Sequence, residues 1–463
     1  MSRYPRAGGK GGQRASQSPN LLSELSPLAM ISDVAASQPI LSISSSSTTD
    51  NVLAETAQGW IERATTEEGD VNGNNAENNE LRESSPAFST RPPSPKAPTD
   101  MIYADLYDND RKSEPQSHTI FYMGHSTHNM SYIVNQKGGV NPPLLHYPIV
   151  DGLNTRKPIS VEELTFYRSR GDYELPPQAI QDELIRTYFT VVQPTYPIID
   201  RIQFARSYKN QSCPPSLLLL QAMFMVSSTH CPMDVILRMG FKTRYEAKRT
   251  FYRRARGLFD ADYESNRIVN IQATFLLQFW WESPIEQKDS GYWLNLAIFL
   301  AQQCGMHRCT ERASSLSPSD RRLWRRIWTC LCIRDGQMSL AFGKPFQIQA
   351  TDCDVEPMTA DDFVEETDVQ VDSSLFPPFS KQHIRYSLTM ARLHKIGKNL
   401  VRRFLTSDVL ILQAYSPSRD RNTIDEAKSL LYHWNKTLEP EMQHEANPHP
   451  DFWVRILHIF SRC

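Results

Sequence analysis

Helical spacing from Tyr173 onward, with no convincing run of period-two alternation, predicts an all-α protein. A third observation bounds the architecture. Residues 1–100 are polar and low in complexity, so the folded part is an irregular multi-helical domain preceded by a disordered N-terminal tail.

That tail is rich in Ser, Pro, Gly, Asn, Thr and Glu, with patches such as SISSSSTTD and NGNNAENNE. Such a segment buries too little apolar surface to offset the entropy of ordering it. Only residues 53–63 carry the pattern of a short helix. Residues 101–172 place Tyr103, Tyr107, Phe121, Tyr122 and Tyr132 among turn signals, which predicts an irregular lead-in or linker, partly packed on the helical domain.

The helical part, 173–413, is taken as one domain. Leu184, Tyr188 and Val191 share one face of a first helix, expected to stop before Pro194. Residues 216–228 are apolar nearly all round, as in a buried helix. Residues 242–259 are amphipathic: Phe241, Tyr245, Tyr252, Ala255 and Phe259 form an apolar stripe, and Arg249, Arg253 and Arg256 a basic one. The basic stripe is expected to be a solvated face rather than a phosphate-binding surface. Apolar helices follow at 268–281 and 292–304, the first ending near Pro284 and the second at Gly305. Helical spacing resumes at 381–405 and 424–438. The helix pairs are too degenerate for a solenoid. Residues 414–463 form a helical C-terminal segment whose apolar stretch 452–460 ends abruptly, so the chain is expected to be truncated there.

The most informative stretch is 317–345, SPSDRRLWRRIWTCLCIRDGQMSLAFGKP. Ser317 suits an N-cap, Pro318 the first helical position, and Asp320 the acid of a capping box. Leu323, Ile327, Leu331 and Met338 mark the buried face, widened by Trp324 and Trp328. Asp335 projects from that same side. An unpaired carboxylate there costs several kcal/mol, so an ion pair with Arg321, Arg322, Arg325 or Arg326 is expected, structural rather than catalytic. Gly343, Lys344 and Pro345 end the helix, glycine by permitting a left-handed backbone and proline by preventing continuation.

Bulk properties exclude several classes. The net charge is −2, so nothing global marks a nucleic-acid binder. Eight cysteines lie between Cys213 and Cys463 with no secretory signal before them, which predicts reduced thiols in an intracellular protein. The longest apolar run, 217–226, falls short of the roughly 18 residues a membrane span requires.

Five motifs in order resemble the middle homology region of the fungal-specific transcription factors, the regulatory region of binuclear zinc-cluster regulators. They are PTYPIID, YRRARGLFDADY, WLNLAIFLAQQCGMHR ending in His307 and Arg308, the signature Arg325, Arg326, Trp328, Asp335, Gly343 and Pro345, and DCDVEPMTADDF. Within that family the wording is most similar to the cutinase transcription factors. Thr329, Gly336 and Lys344 depart from the pattern, standing for a tryptophan, an arginine and an arginine. Lysine at 344 cannot form the two-pronged contact of an arginine.

The resemblance implies a nuclear transcription regulator with a helical regulatory domain and no enzymatic activity. The signature residues His307, Arg308, Arg325, Arg326, Trp328, Asp335, Gly343 and Pro345 are expected to be structural. Such regulators usually carry an N-terminal zinc cluster and a dimerising coil. Here the first cysteine is Cys213, inside the helical region, so the zinc cluster is expected to be missing, with no cofactor. Action is then expected through other transcription regulators as a homo- or heterodimer, with promoter DNA reached only indirectly and a small-molecule effector on the helical domain. Lipid or cutin catabolism, or a specialised-metabolite gene set, fits as target.

Two other constellations compete. Cys304, His307 and Cys309, with Cys330 and Cys332 nearby, lack a structural zinc spacing, so no metal site is expected. The acids of 361–366, DDFVEE, imitate the magnesium-binding run of all-α prenyl-diphosphate enzymes, but no second such motif follows. The wider 361–379 segment mixes acids with Phe, Val and Leu, as activation segments do, but better suits an ordinary solvated loop between helices. A non-functional truncated paralogue is the remaining alternative.

Overall fold

Side-chain caps mark where five of the labelled helices begin. The computed structural model describes residues 120–122, 124, 146–148, 161–210, 212–283, 285–311, 313, 316–365, 371–404, 417–438 and 440–443. The expected tail at 1–100, its short helix at 53–63, most of the lead-in and the apolar stretch 452–460 lie outside these residues. The helices are α1 Val161–Ser169, α2 Gln178–Thr187, α3 Arg201–Lys209, α4 Leu217–His230, α5 Met233–Arg238 and α6 Arg244–Asp260. They continue with α7 Arg267–Leu277, α8 Ser290–Gln303, α9 Pro318–Phe342, α10 Lys381–Phe404 and α11 Pro417–Lys436. Asp200, Thr243, Asn266, Asp289 and Ser317 each accept a first-turn N–H, at the starts of α3, α6, α7, α8 and α9. Each cap satisfies a donor that has no partner inside its helix, worth about 1 kcal/mol.

The all-α expectation holds, with one addition from the lead-in. Strands β1 (Ile120–Tyr122) and β2 (His146–Pro148) form a short antiparallel pair, Phe121 opposite Tyr147. Three residues each are too few to show alternation in the sequence.

The core centres on α4, whose residues from Leu218 to Ser228 are all buried. Helices α2, α6 and α7 pack around it, α8 lies on α7, and α9 joins α8 to α10. A second, smaller cluster joins Ile333 of α9, Tyr386, Met390 and Leu393 of α10, and Trp434 of α11.

Two details differ from the expected pattern. The first helix does not stop before Pro194. It widens into a π-helical turn, Tyr188–Val192, where the Gln193 N–H donates to Tyr188 O, and continues through Gln193–Thr195. Proline lacks an N–H and its ring crowds the carbonyl four residues back, and a wider turn relieves that crowding. The extra residue shifts the face, so Val192 is buried and Val191 only partly. On α6 the buried stripe is Ala247, Phe251, Tyr252, Ala255 and Leu258, while Tyr245 is exposed and donates to Glu282. The long helix ends as expected, with Gly343 left-handed at φ 63°.

Candidate functional site

The signature stretch becomes α9, and α9 is buried on nearly every side. Leu323, Trp324, Ile327, Trp328 and Leu331 are buried as expected, Met338 only partly. Arg326, Arg334 and Asp335 are buried with them. Ser317 caps the helix through Asp320 N, and its hydroxyl donates to the Asp320 carboxylate at 2.7 Å, where a capping-box acid would accept a backbone N–H.

Asp335 is not held by an arginine. Its two oxygens accept the backbone N–H groups of Gln347 and Ile348, each at 3.0 Å. The chain turns back at Gly343, and the bend at 347–348 presents two N–H groups to this carboxylate. Burial raises the Asp335 pKa, opposed by the two N–H bonds and by the charge of Lys398. Ser339 donates to Lys344 O and Lys398 to Ile348 O, closing the same clasp.

The arginines of the signature have separate tasks. Arg325 pairs with Asp362 at 2.7 Å, and Asp362 also accepts the Thr359 N–H at 2.8 Å. Arg326 sits between the rings of Phe363 and Phe379, 5.9 Å from each centroid. Arg334, overlooked in the sequence, donates to Gln278 at 3.0 Å and Gln337 at 2.8 Å, over the ring of Phe279. Arg201, also overlooked, donates to Phe376 O and binds Glu365 through two nitrogens. Isolated arginines carry no sequence mark of such long-range partners.

His307 packs against the lead-in pair. His307 meets the ring of Tyr122 edge-on at 4.9 Å and lies 5.9 Å from that of Trp328. Burial and the Arg308 charge lower its pKa to about 4. Arg308 pairs with Asp354 at 2.9 Å, and Asp354 also accepts the Cys309 N–H at 2.6 Å. The His146 ring bonds Gly305 O at 3.0 Å. Gly305 has φ 78°, and a Cβ there would stand 2.5 Å from Tyr122, so this contact requires glycine. Pro345 follows the turn that leads into the Asp335 clasp.

The competing constellations dissolve in three dimensions. Cys304 and Cys330 are buried thiols whose pKa values rise to about 11 in the first case and further in the second. Among the described residues, no three His, Cys, Asp or Glu side chains form a metal-holding group. The 361–366 acids diverge: Asp362 goes to Arg325, Glu365 to Arg201, Asp361 is exposed, and Glu366 lies outside the described residues. Phe363, Leu375 and Phe376 are buried, which pins the described part of 361–379 to the core at those residues, while Asp361, Val364 and residues 372–374 are exposed. The basic stripe of α6 meets carboxylates, Arg249 with Glu282 and Arg256 with Asp260. No helix among the described residues is long and apolar enough to cross a membrane.

These contacts define a helical domain whose charged signature residues clasp its own loops. Residues 185–443 match the model of the fungal specific transcription factor domain, and the chain belongs to that family. It is 35% identical to cutinase transcription factor 1 alpha of Fusarium vanettenii, over 73% of this chain and 36% of that protein. It is 32% identical to the acetamidase regulatory protein of Aspergillus fumigatus, over 73% of this chain and 40% of that protein. A fusaric acid cluster transcription factor of Gibberella fujikuroi is 23% identical over 69% of this chain and 46% of that protein. The chain thus spans well under half the length of the first two relatives. No solved structure matches it. The family and these relatives are transcription regulators rather than enzymes.

Proposed function

We propose that these residues form the regulatory domain of a nuclear transcription regulator and act through protein partners. The carrying observation is the α9 clasp. Asp335, Arg325 and Arg334 are each engaged by loops or helices of the same domain, which suits a scaffold that transmits a signal rather than one that turns over a substrate. The first cysteine in the sequence is Cys213, so these 463 residues carry no zinc cluster ahead of the helical domain. In this reading DNA is reached through another transcription regulator, in a homo- or heterodimer, and a small-molecule effector acts on the helices. The relatives named for cutinase and for the fusaric acid cluster support a lipid or cutin catabolic gene set, or a specialised-metabolite one.

Two measurements test this. A gel-shift titration of the purified chain against promoter fragments should show no sequence-specific complex at physiological salt. Tight binding of one duplex over scrambled DNA would falsify indirect recruitment. Tagged protein expressed in a fungal host should also recover a zinc-cluster regulator and accumulate in nuclei, and exclusion from nuclei would overturn the reading.

A further inference from the structure

Helix α10 is strongly cationic, and the elements packed on it do not neutralise it. Its 24 residues include seven Lys and Arg and no Asp or Glu. Helix α11, its neighbour, has four Lys and Arg against three Asp and Glu. The two helices therefore carry +8 within a chain whose net charge is −2. The other neighbours add little of opposite sign. The 360–363 turn commits Asp362 to Arg325 and offers Asp361, and Gln193–Thr195 has no charge. On α9, Asp335 is buried against the clasp, where Lys398 of α10 is already engaged.

Lys381, Arg392 and Lys395 are exposed and make no ion pair among the described residues. At about 100° per residue they fall within about 60° of one another, and they span about 21 Å of helix. Tyr386, Met390 and Leu393 are buried on the opposite side. Elsewhere on the surface arginines meet carboxylates, as Arg238 does Glu183 on α2, and Arg249 and Arg256 of α6 do Glu282 and Asp260. The outward side of α10 is instead a field of one sign. It is also bare of apolar anchors: among the described residues, no large hydrophobic side chain of α10 is exposed. Protein partners draw most of their affinity from such anchors, whereas a phosphate backbone is held by cations alone.

We propose that the outward face of α10 lies against the backbone of duplex DNA and binds it without regard to sequence. Lys381, Arg392 and Lys395 each meet a phosphate, within less than one turn of the duplex, which is about 34 Å. The contact adds to recruitment by another regulator, because a domain brought to a promoter is then held on the same duplex. That use rests on the regulatory reading above, whereas the contact rests on the helix alone.

The test is fluorescence anisotropy of the full purified chain with a labelled duplex and with a scrambled one, titrated with sodium chloride. Both duplexes should bind alike at about 20 mM salt, and log affinity should fall against log salt with a slope of about −3. Lys381→Gln/Arg392→Gln/Lys395→Gln should weaken binding at least about tenfold at low salt and flatten that slope. All three side chains are exposed, so this variant should melt as the parent does. The control Lys209→Gln/Lys242→Gln/Arg253→Gln removes the same charge from exposed positions off α10 and should bind as the parent does. Absence of binding at low salt, or equal loss in the control, overturns the proposal. Tighter binding of polyglutamate than of DNA at matched charge also overturns it, marking an acidic protein as the partner. The regulatory reading fails on a different result, preference for one duplex over its scrambled form.

Discussion

Gly336 of α9 lies so close to His394 of α10 that a Cβ at 336 would stand 2.4 Å from the imidazole Nδ1. The two helices touch here backbone to ring. The departure from an arginine at 336 thus has a partner in the histidine that occupies the space. An arginine at 336 would have to displace that ring.

Gly336→Ala is therefore expected to destabilise the domain by about 1–3 kcal/mol through overpacking, although alanine is the better helix former. Pairing it with His394→Ala should recover part of the loss. Urea melts of the four proteins in a double-mutant cycle give the coupling. Strict additivity would show that the two positions do not meet.

Asp335→Asn should cost about 1–3 kcal/mol, because the amide turns one donor toward the Gln347 or Ile348 N–H that Asp335 now accepts. Asp335→Ala leaves both N–H groups unmet and should cost more. Hydrogen exchange at Gln347 and Ile348 checks the mechanism directly, since both amides should lose protection ahead of the rest of the core.

Arg325→Ala strands Asp362, whose side chain is fully buried, and should cost about 3–5 kcal/mol. The double variant Arg325→Ala/Asp362→Asn should lose less than the sum of its single changes. Thermal melts of the three variants measure this, and equal sums would place the energy elsewhere than in the pair.

Stability should fall on mild acidification. Burial, aided by nearby cations, lowers the pKa of His230 and His307 to about 4 and of His394 to about 3. The unfolded chain then binds more protons than the folded one from about pH 6.5 downward. Stability is level above that value and declines through the window down to these folded-state values. Asp335, shifted upward, acts in the opposite sense, favouring the fold as pH falls toward the ordinary carboxylate range. Urea midpoints between about pH 7 and pH 4.5 should therefore drop, with a shallower slope in His394→Gln. An unchanged slope would show that His394 is not a buried neutral ring.

How much of the fold was legible in the sequence depends on the range of the interaction. The helical class, the buried character of α4, the cap at Ser317 and the left-handed stop at Gly343 all follow from neighbours within a turn or two. The signature wording named the family for the same reason, since its residues are contiguous or nearly so. On the predicted face of α2 and its continuation, Leu184 and Tyr188 are buried, and only Val191 is displaced, because the π-turn Tyr188–Val192 offsets the positions after Tyr188.

Residue pattern alone gives the all-α class, helices α2, α4 and α6 to α11, the family and the burial of Asp335, but not the short helices α1, α3 and α5. What Asp335, Arg325 and Arg326 meet is settled by the folded chain. A buried charge announces that it needs a partner, but segments far along the chain supply the candidates. The fold brought the Asp335 carboxylate to two backbone amides, Arg325 to Asp362, and Arg326 to two aromatic rings. Backbone amides are present at every residue and leave no trace in composition, so no reading of side chains could have singled them out.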